Sequence, residues 1–130
     1  MFEAFCALIW IKQGFNRTIK TPKSGDGGVD VVAIDGNRGA LIQCKSSGVE
    51  GKEMGWDAIK DVAAGAVAYA ARYPGVKFEL IAATNRTFNQ SARQQASVLN
   101  VRLIEAQDLI SLLTKHPTKR GELDRFILAG

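Results

Sequence analysis

Apolar residues at the start of the chain recur at helical spacing. Phe2, Phe5, Cys6, Ile9 and Trp10 follow i, i+3, i+4, i+7, i+8, which predicts a helix over 2–13 that Gly14 stops. Glu3 falls beside that stripe. No N-cap residue precedes the helix and Met1 lies almost inside it, so the chain reads as a domain cut from a longer protein, or one lacking a short leader. The period then changes. Phe15 to Lys20 reads as a first strand, ended by Thr21-Pro22. A Gly-rich loop over Lys23–Gly28 leads into a buried strand beginning Val29-Asp30-Val31-Val32. A tight turn over Asp35–Gly39 and a second strand from Ala40 to Lys45 follow. β-branched runs joined by an Asp-Gly-Asn turn are a strong hairpin signal.

Ser46 to Gly55 is a Gly/Ser-containing loop, read either as a substrate clamp or as a plain connection. Trp56 to Tyr73 reads as a long helix with Ile59, Ala63, Ala66, Val67 and Ala70 inward. Asp57 sits at its positive end and Arg72 at its negative one. Lys77 to Thr84 has the continuous apolar character of a central strand covered on both faces. Thr87 is the expected N-cap of a helix from Phe88 to about Leu99, with Phe88, Ala92, Ala96 and Leu99 inward. Thr84, Asn85 and Thr87 follow the carboxyl end of a strand, where either turn chemistry or a phosphate contact accounts for them. Val101 to Ile104 is a final strand, and Ala106 to Lys115 a helix with Leu109, Leu112 and Leu113 inward. The order α-β-β-β-α-β-α-β-α gives an α/β fold, a central mixed sheet flanked by helices, with parallel connections in its second half. We expect one domain over 1–115. The extension over 116–130 is weakly amphipathic at Leu123, Phe126 and Ile127, and is expected to hold a short helix that docks on the domain or on a missing neighbour.

Composition narrows the class. The chain has 130 residues, enough for one core, and 46% hydrophobic with 23% charged residues is ordinary for a globular domain. No apolar run is long enough to span a bilayer, and no signal peptide opens the chain. Cys6 and Cys44 both sit in apolar runs and read as buried free thiols of a reducing cytoplasm. One His and two Cys, far apart in sequence, exclude a structural zinc site, and His116 before Pro117 offers no hydrolytic triad. The net charge of +4 is compatible with nucleic acid without demanding it. Its placement says more: Lys12, Arg17, Lys20 and Lys23 lead into the Gly-rich loop, and Arg38 and Lys45 lie in the hairpin. This is either a solvated basic face or a surface for a phosphate backbone.

The hairpin carries polar groups that a sheet interior does not need. Gln43 and Lys45 are two apart on one strand and project to the same face, and the turn places Asp30 on the neighbouring strand. Asp30 as a turn cap and Lys45 as a strand end at solvent is the bland alternative. Asp26 reads as a turn-former between glycines. Gly25, Gly27 and Gly28 permit positive φ, and also leave backbone N–H groups bare enough for a phosphate to approach.

The run Gly25-Asp26-Gly27-Gly28-Val29-Asp30, the turn, and Gln43-Cys44-Lys45, in that order, resemble the PD-(D/E)xK nuclease superfamily, and within it Mrr-type restriction endonuclease domains, which use Gln where most relatives use Glu. The similarity extends from Phe2-Glu3 to about Leu113. More distantly, the loop and hairpin resemble archaeal Holliday-junction resolvases. The resemblance implies a restriction-endonuclease-like core and a divalent-metal-dependent DNA endonuclease, with Mg2+ as cofactor and Mn2+ as a substitute. Asp30, Gln43 and the Cys44 main-chain carbonyl would be metal-side oxygens, Lys45 the cation beside them, and Glu3 a further acid. Lys20, Lys23, Ser24, Gly27, Gly28 and Arg38 would meet DNA. Cutting both strands implies a homodimer, or a part of a larger multidomain protein. The alternatives are a weak or inactive nuclease-fold module and a junction resolvase. Nothing in the sequence marks a target sequence or a methylation requirement.

Overall fold

The computed structural model describes residues 2–20 and 29–129. In chain order its elements are α1 (Phe2–Lys12), β1 (Arg17–Lys20), β2 (Val31–Asp35), β3 (Arg38–Lys45), β4 (Glu53–Met54), α2 (Asp57–Arg72), β5 (Lys77–Thr84), β6 (Thr87–Phe88), α3 (Gln90–Leu99), β7 (Val101–Ile104), α4 (Ala106–Lys115) and α5 (Arg120–Ala129). Five strands form one mixed sheet in the order β1-β2-β3-β5-β7. The hairpin side is antiparallel, and β3, β5 and β7 run parallel, as the helix-connected order requires.

Alternation along the strands makes two cores. Val31, Ala33, Ala40, Ile42 and Cys44 face α1 and α4, where Cys6, Ile9, Trp10 and Leu109 meet them. Val32, Ile34, Leu41 and Ala82 face α2 and α3, against Ile59, Val62, Tyr69 and Ala92. Gln43 and Lys45 share the parity of Leu41 and so lie under α2. Residue for residue, β3 pairs with β5 from Arg38↔Lys77 to Lys45↔Thr84. Gly39 permits that approach, since a Cβ there would stand 2.6 Å from the Phe78 ring.

Several expectations need correction. The hairpin turn is shorter than five residues: Asp35 pairs with Arg38, leaving a two-residue loop with Gly36 at φ 63° in the first position that such turns reserve for glycine. α1 is not simply amphipathic; Ala4, Ala7 and Leu8 are buried as well as Cys6, Ile9 and Trp10, because the sheet and α5 both cover it. In α2 the inward set is Ala58, Ile59, Val62, Gly65 and Tyr69, whereas Val67 is 76% exposed and Ala70 is exposed. Alanines carry too little apolar area to set a face, so the larger Ile59, Val62 and Tyr69 set it.

Thr87 is no cap. Thr87 and Phe88 pair with Glu53 and Met54 as a small parallel sheet, and Asn89 caps α3 by accepting the Ala92 amide at 2.8 Å. The 46–55 loop is therefore pinned in its second half. α5 docks on α1: Leu123 is buried, Phe126 packs on the first core, and Lys12 pairs with Glu122 at 2.6 Å. The Lys12 ammonium, by hydrogen bonding, holds the Glu122 carboxyl below its usual range. No helix among the described residues is long and apolar enough to cross a membrane.

Candidate functional site

The carboxyl end of β3 gathers the polar residues. The Asp30 amide donates to the Ile42 carbonyl at 2.9 Å, the residue that Val31 already faces in the β2–β3 ladder, so Asp30 stands as an extra, bulge-like residue where that ladder ends. Asp30 Oδ2 then accepts the Cys44 amide at 3.0 Å. Burial raises the Asp30 carboxyl above its usual value; the Cys44 hydrogen bond opposes this, as does nearby Lys45, while Glu3 and Asp61 add negative charge and raise it further. Glu3 and Lys45 thus each lie within electrostatic reach of Asp30. Lys45 itself is exposed.

Gln43, two residues before Lys45 on the same strand, is only 7% exposed. Its Oε1 is buried with no hydrogen-bond partner among the described residues. An orphaned buried acceptor costs about 1–3 kcal/mol. That cost fits a cation: a hard divalent ion takes oxygen donors, and Gln43 offers an amide oxygen one residue before Cys44, whose amide the Asp30 carboxylate accepts. Among the described residues no three His, Cys, Asp or Glu side chains already stand at metal-binding distances. Asp30 and Gln43 would offer such a cation one acid and one neutral oxygen.

The Cys44 side chain points the other way, toward α1. Its hydrogen bond to Cys6, then burial, push its thiol well above the usual cysteine range, which makes it an inert core group. Both cysteines are free. The Cys6–Cys44 contact also fixes the start of α1 near the end of β3, which brings Glu3 to the site from one face of the sheet.

Other expected residues do not join. Arg38 begins β3, roughly 23 Å from Lys45 at the usual rise per strand residue. It is held by Asp35 at 2.9 and 3.1 Å and lies over the Phe15 ring at 4.5 Å. Lys12 is taken up by Glu122 and the Pro117 carbonyl. Thr84 is fully buried and its hydroxyl accepts the Arg86 amide, so it meets no polyanion. The Lys20 backbone pairs with Val31, next to Asp30. Lys23, Ser24, Gly27 and Gly28, with Gly25 and Asp26, lie outside the described residues.

The sequence reading missed two features. Asn85 clasps Ser47 in both directions, at 2.9 and 3.0 Å, and Arg86 Nε donates to the same Ser47 carbonyl at 2.9 Å, so the chain leaving Lys45 is anchored to the end of β5. Asp61 is the second. It is half-buried on α2, three residues from Ala58 and four from Gly65, on the border of the inward face. A correct inward face for α2 would have found it.

A cavity of about 850 Å3 opens at the other end of the sheet, between Arg38, Phe78 and Arg102, and one of about 510 Å3 among Phe2, Phe5, Leu109 and Leu113 reaches Ser46 and Asn85 at the exit of β3. Neither is lined by Asp30, Gln43 or Lys45.

The family model of the Mrr catalytic domain, described as restriction endonuclease, matches residues 1–113. The chain belongs to the Mrr-type restriction endonuclease family. A search of curated proteins gives no match. Among solved structures, this Mrr-type domain is similar to AF1548, a protein of unknown function, with a TM-score of 0.65 and 19% identity over 98% of this chain and 76% of that one. It is also similar to the MspJI restriction endonuclease, solved in complex with a 27-mer oligonucleotide, with a TM-score of 0.53 and 17% identity over 98% of this chain and 31% of that one. The Mrr-type domain thus spans about a third of MspJI, and the likeness establishes the restriction-endonuclease-like fold.

Proposed function

We propose that the chain is a divalent-metal-dependent DNA endonuclease that hydrolyses phosphodiester bonds, with Asp30, Gln43 and Lys45 as its centre. The observation that carries this reading is the buried Gln43 Oε1, without a partner among the described residues, one residue before the Cys44 amide that Asp30 accepts and two before an exposed ammonium. A bound Mg2+ or Mn2+ would be held by Asp30, Gln43 and the Cys44 main-chain carbonyl, and supplies Lewis-acid stabilisation of charge at a phosphate oxygen. Lys45, at the exposed end of β3, orients the attacking water by hydrogen bonding and offsets negative charge as the phosphate adds a fifth oxygen. Glu3 adds negative charge from the α1 side.

The DNA contacts are assigned from the sequence pattern to Lys20, Lys23, Ser24, Gly27 and Gly28, residue types whose ammonium, hydroxyl and backbone N–H groups suit phosphate. One centre of this kind cuts one strand, so double-strand cleavage needs a homodimer or a larger assembly. Two buried free thiols suit a reducing cytoplasm.

Cleavage of duplex, methylated duplex, single strand and four-way junction, each with Mg2+ and with Mn2+, tests the reading. Cutting of duplex supports the restriction type, and cutting confined to the junction makes the enzyme a resolvase. Binding without cleavage in either metal contradicts the reading and leaves a DNA-binding module.

A further inference from the structure

Replacing an acid by Gln43 leaves the cation site short of one negative charge, and α2 lies across the same face of the sheet. The connection β3–α2–β5 joins two parallel strands, so α2 runs back against them. Its C-terminal end is fixed over the start of β5 by the Tyr73–Phe78 ring contact, with centroids 6.1 Å apart. Its first turns therefore lie over the carboxyl ends of β3 and β5, where Gln43 and Lys45 project. Ala58, Ile59 and Val62 belong to the same buried core as Val29, the neighbour of Asp30. Asp61 sits in this stretch, half-buried, with no hydrogen bond or ion pair to another described residue.

We infer that Asp61 is the acid that compensates for Gln43: it supplies the second negative charge that holds the divalent cation against Asp30 and Gln43 Oε1. This rests on the proposed metal site. The buried, unpartnered Gln43 oxygen is what points to a ligand; Asp61 by itself would be only a helix-surface acid. Because no three acids already stand at ligand distances, Asp61 acts from beyond direct contact, as a positioning charge for a cation that keeps part of its water shell. The acids then come from both faces of the sheet, Glu3 by α1 and Asp61 by α2, around Asp30 on the hairpin.

Calorimetric titration of the apoprotein with Mn2+ at low ionic strength tests this without reading activity. Asp61→Asn is expected to weaken binding about tenfold, and the loss should shrink as salt is raised, as a longer-range charge effect must. Asp61→Glu, which keeps the charge, should recover most of the affinity. Asp57→Asn, an exposed acid one turn earlier on the same helix, should leave it unchanged. If Asp30→Asn abolishes binding while Asp61→Asn binds as the parent does, Asp61 has no such role and the metal site stands. If the parent chain binds no Mn2+, the inference and the metal site fall together. Loss in Asp57→Asn equal to that in Asp61→Asn would reduce the effect to general helix charge and overturn the assignment.

Discussion

Asp30 and Cys44 are joined across neighbouring strands by a hydrogen bond of 3.0 Å from the Cys44 amide to the Asp30 carboxylate. The bond ties the acid to the residue after Gln43 and opposes, without cancelling, the penalty of burying it. Function and stability therefore conflict at Asp30.

That conflict predicts a stabilising substitution. The Asp30 pKa is raised in the folded protein, so its contribution to stability is fully present below the usual carboxyl value of 3.8 and is lost as pH rises through the folded value. At neutral pH the ionised acid opposes folding. Asp30→Asn keeps an oxygen for the Cys44 amide and removes the charge, so its Tm should exceed the parent's at pH 7. The difference should vanish below about pH 4. Thermal unfolding from pH 3 to 8 without divalent metal reads it, and a lower Tm for Asp30→Asn at pH 7 would contradict the assignment.

Gln43 predicts a similar trade. Gln43→Leu replaces an orphaned buried acceptor with an apolar group, so the metal-free protein should gain about 1 kcal/mol while losing divalent-metal binding. Gln43→Glu adds a charge to the cage and should bind Mg2+ more tightly with the fold intact. Urea unfolding reads the first and calorimetry the second; unchanged affinity in Gln43→Glu would count against Gln43 as a ligand.

Glu105 is a structural hub whose removal should cost stability without touching the chemistry. It accepts the Phe88 amide at 2.6 Å and the Arg93 guanidinium at 2.5 Å. It also forms a reciprocal capping box with Asp108 at the start of α4. Glu105→Ala strips three donors of their acceptor, and should cost about 2–3 kcal/mol, a Tm drop of roughly 10 °C. A circular-dichroism melt measures it.

The Asn85–Ser47 clasp predicts a looser strand exit. Asn85→Ala removes both hydrogen bonds to Ser47, so amide exchange at Ser47 should quicken about tenfold or more while β3 and β5 stay protected. Unchanged exchange would show that Arg86 alone holds the segment.

Much of this was legible in the chain. The strands β2, β3, β5 and β7 announced themselves by β-branched runs, and the hairpin by its tight turn. What failed had a common cause: short or weakly apolar stretches whose state is set by distant partners. Thr87-Phe88 becomes a strand only because Glu53-Met54 lies alongside. The inward face of alanine-rich α2 depends on which large side chains the sheet accepts, and that error hid Asp61. Arg38 looked close to Lys45 in sequence, but an eight-residue strand sets them at opposite ends. Lys12 read as basic surface, and only the docking of α5 assigns it to Glu122.

The central claim is that an acid, an amide oxygen and an ammonium at the end of one hairpin hydrolyse DNA with a divalent metal. Conversion of supercoiled plasmid by the purified chain with Mn2+ or Mg2+, beside Lys45→Ala and Asp30→Ala, measures it. Nicking by the parent that falls at least a hundredfold in both folded variants is the predicted result. Equal nicking in the parent and Lys45→Ala, or none by the parent in either metal, would contradict it.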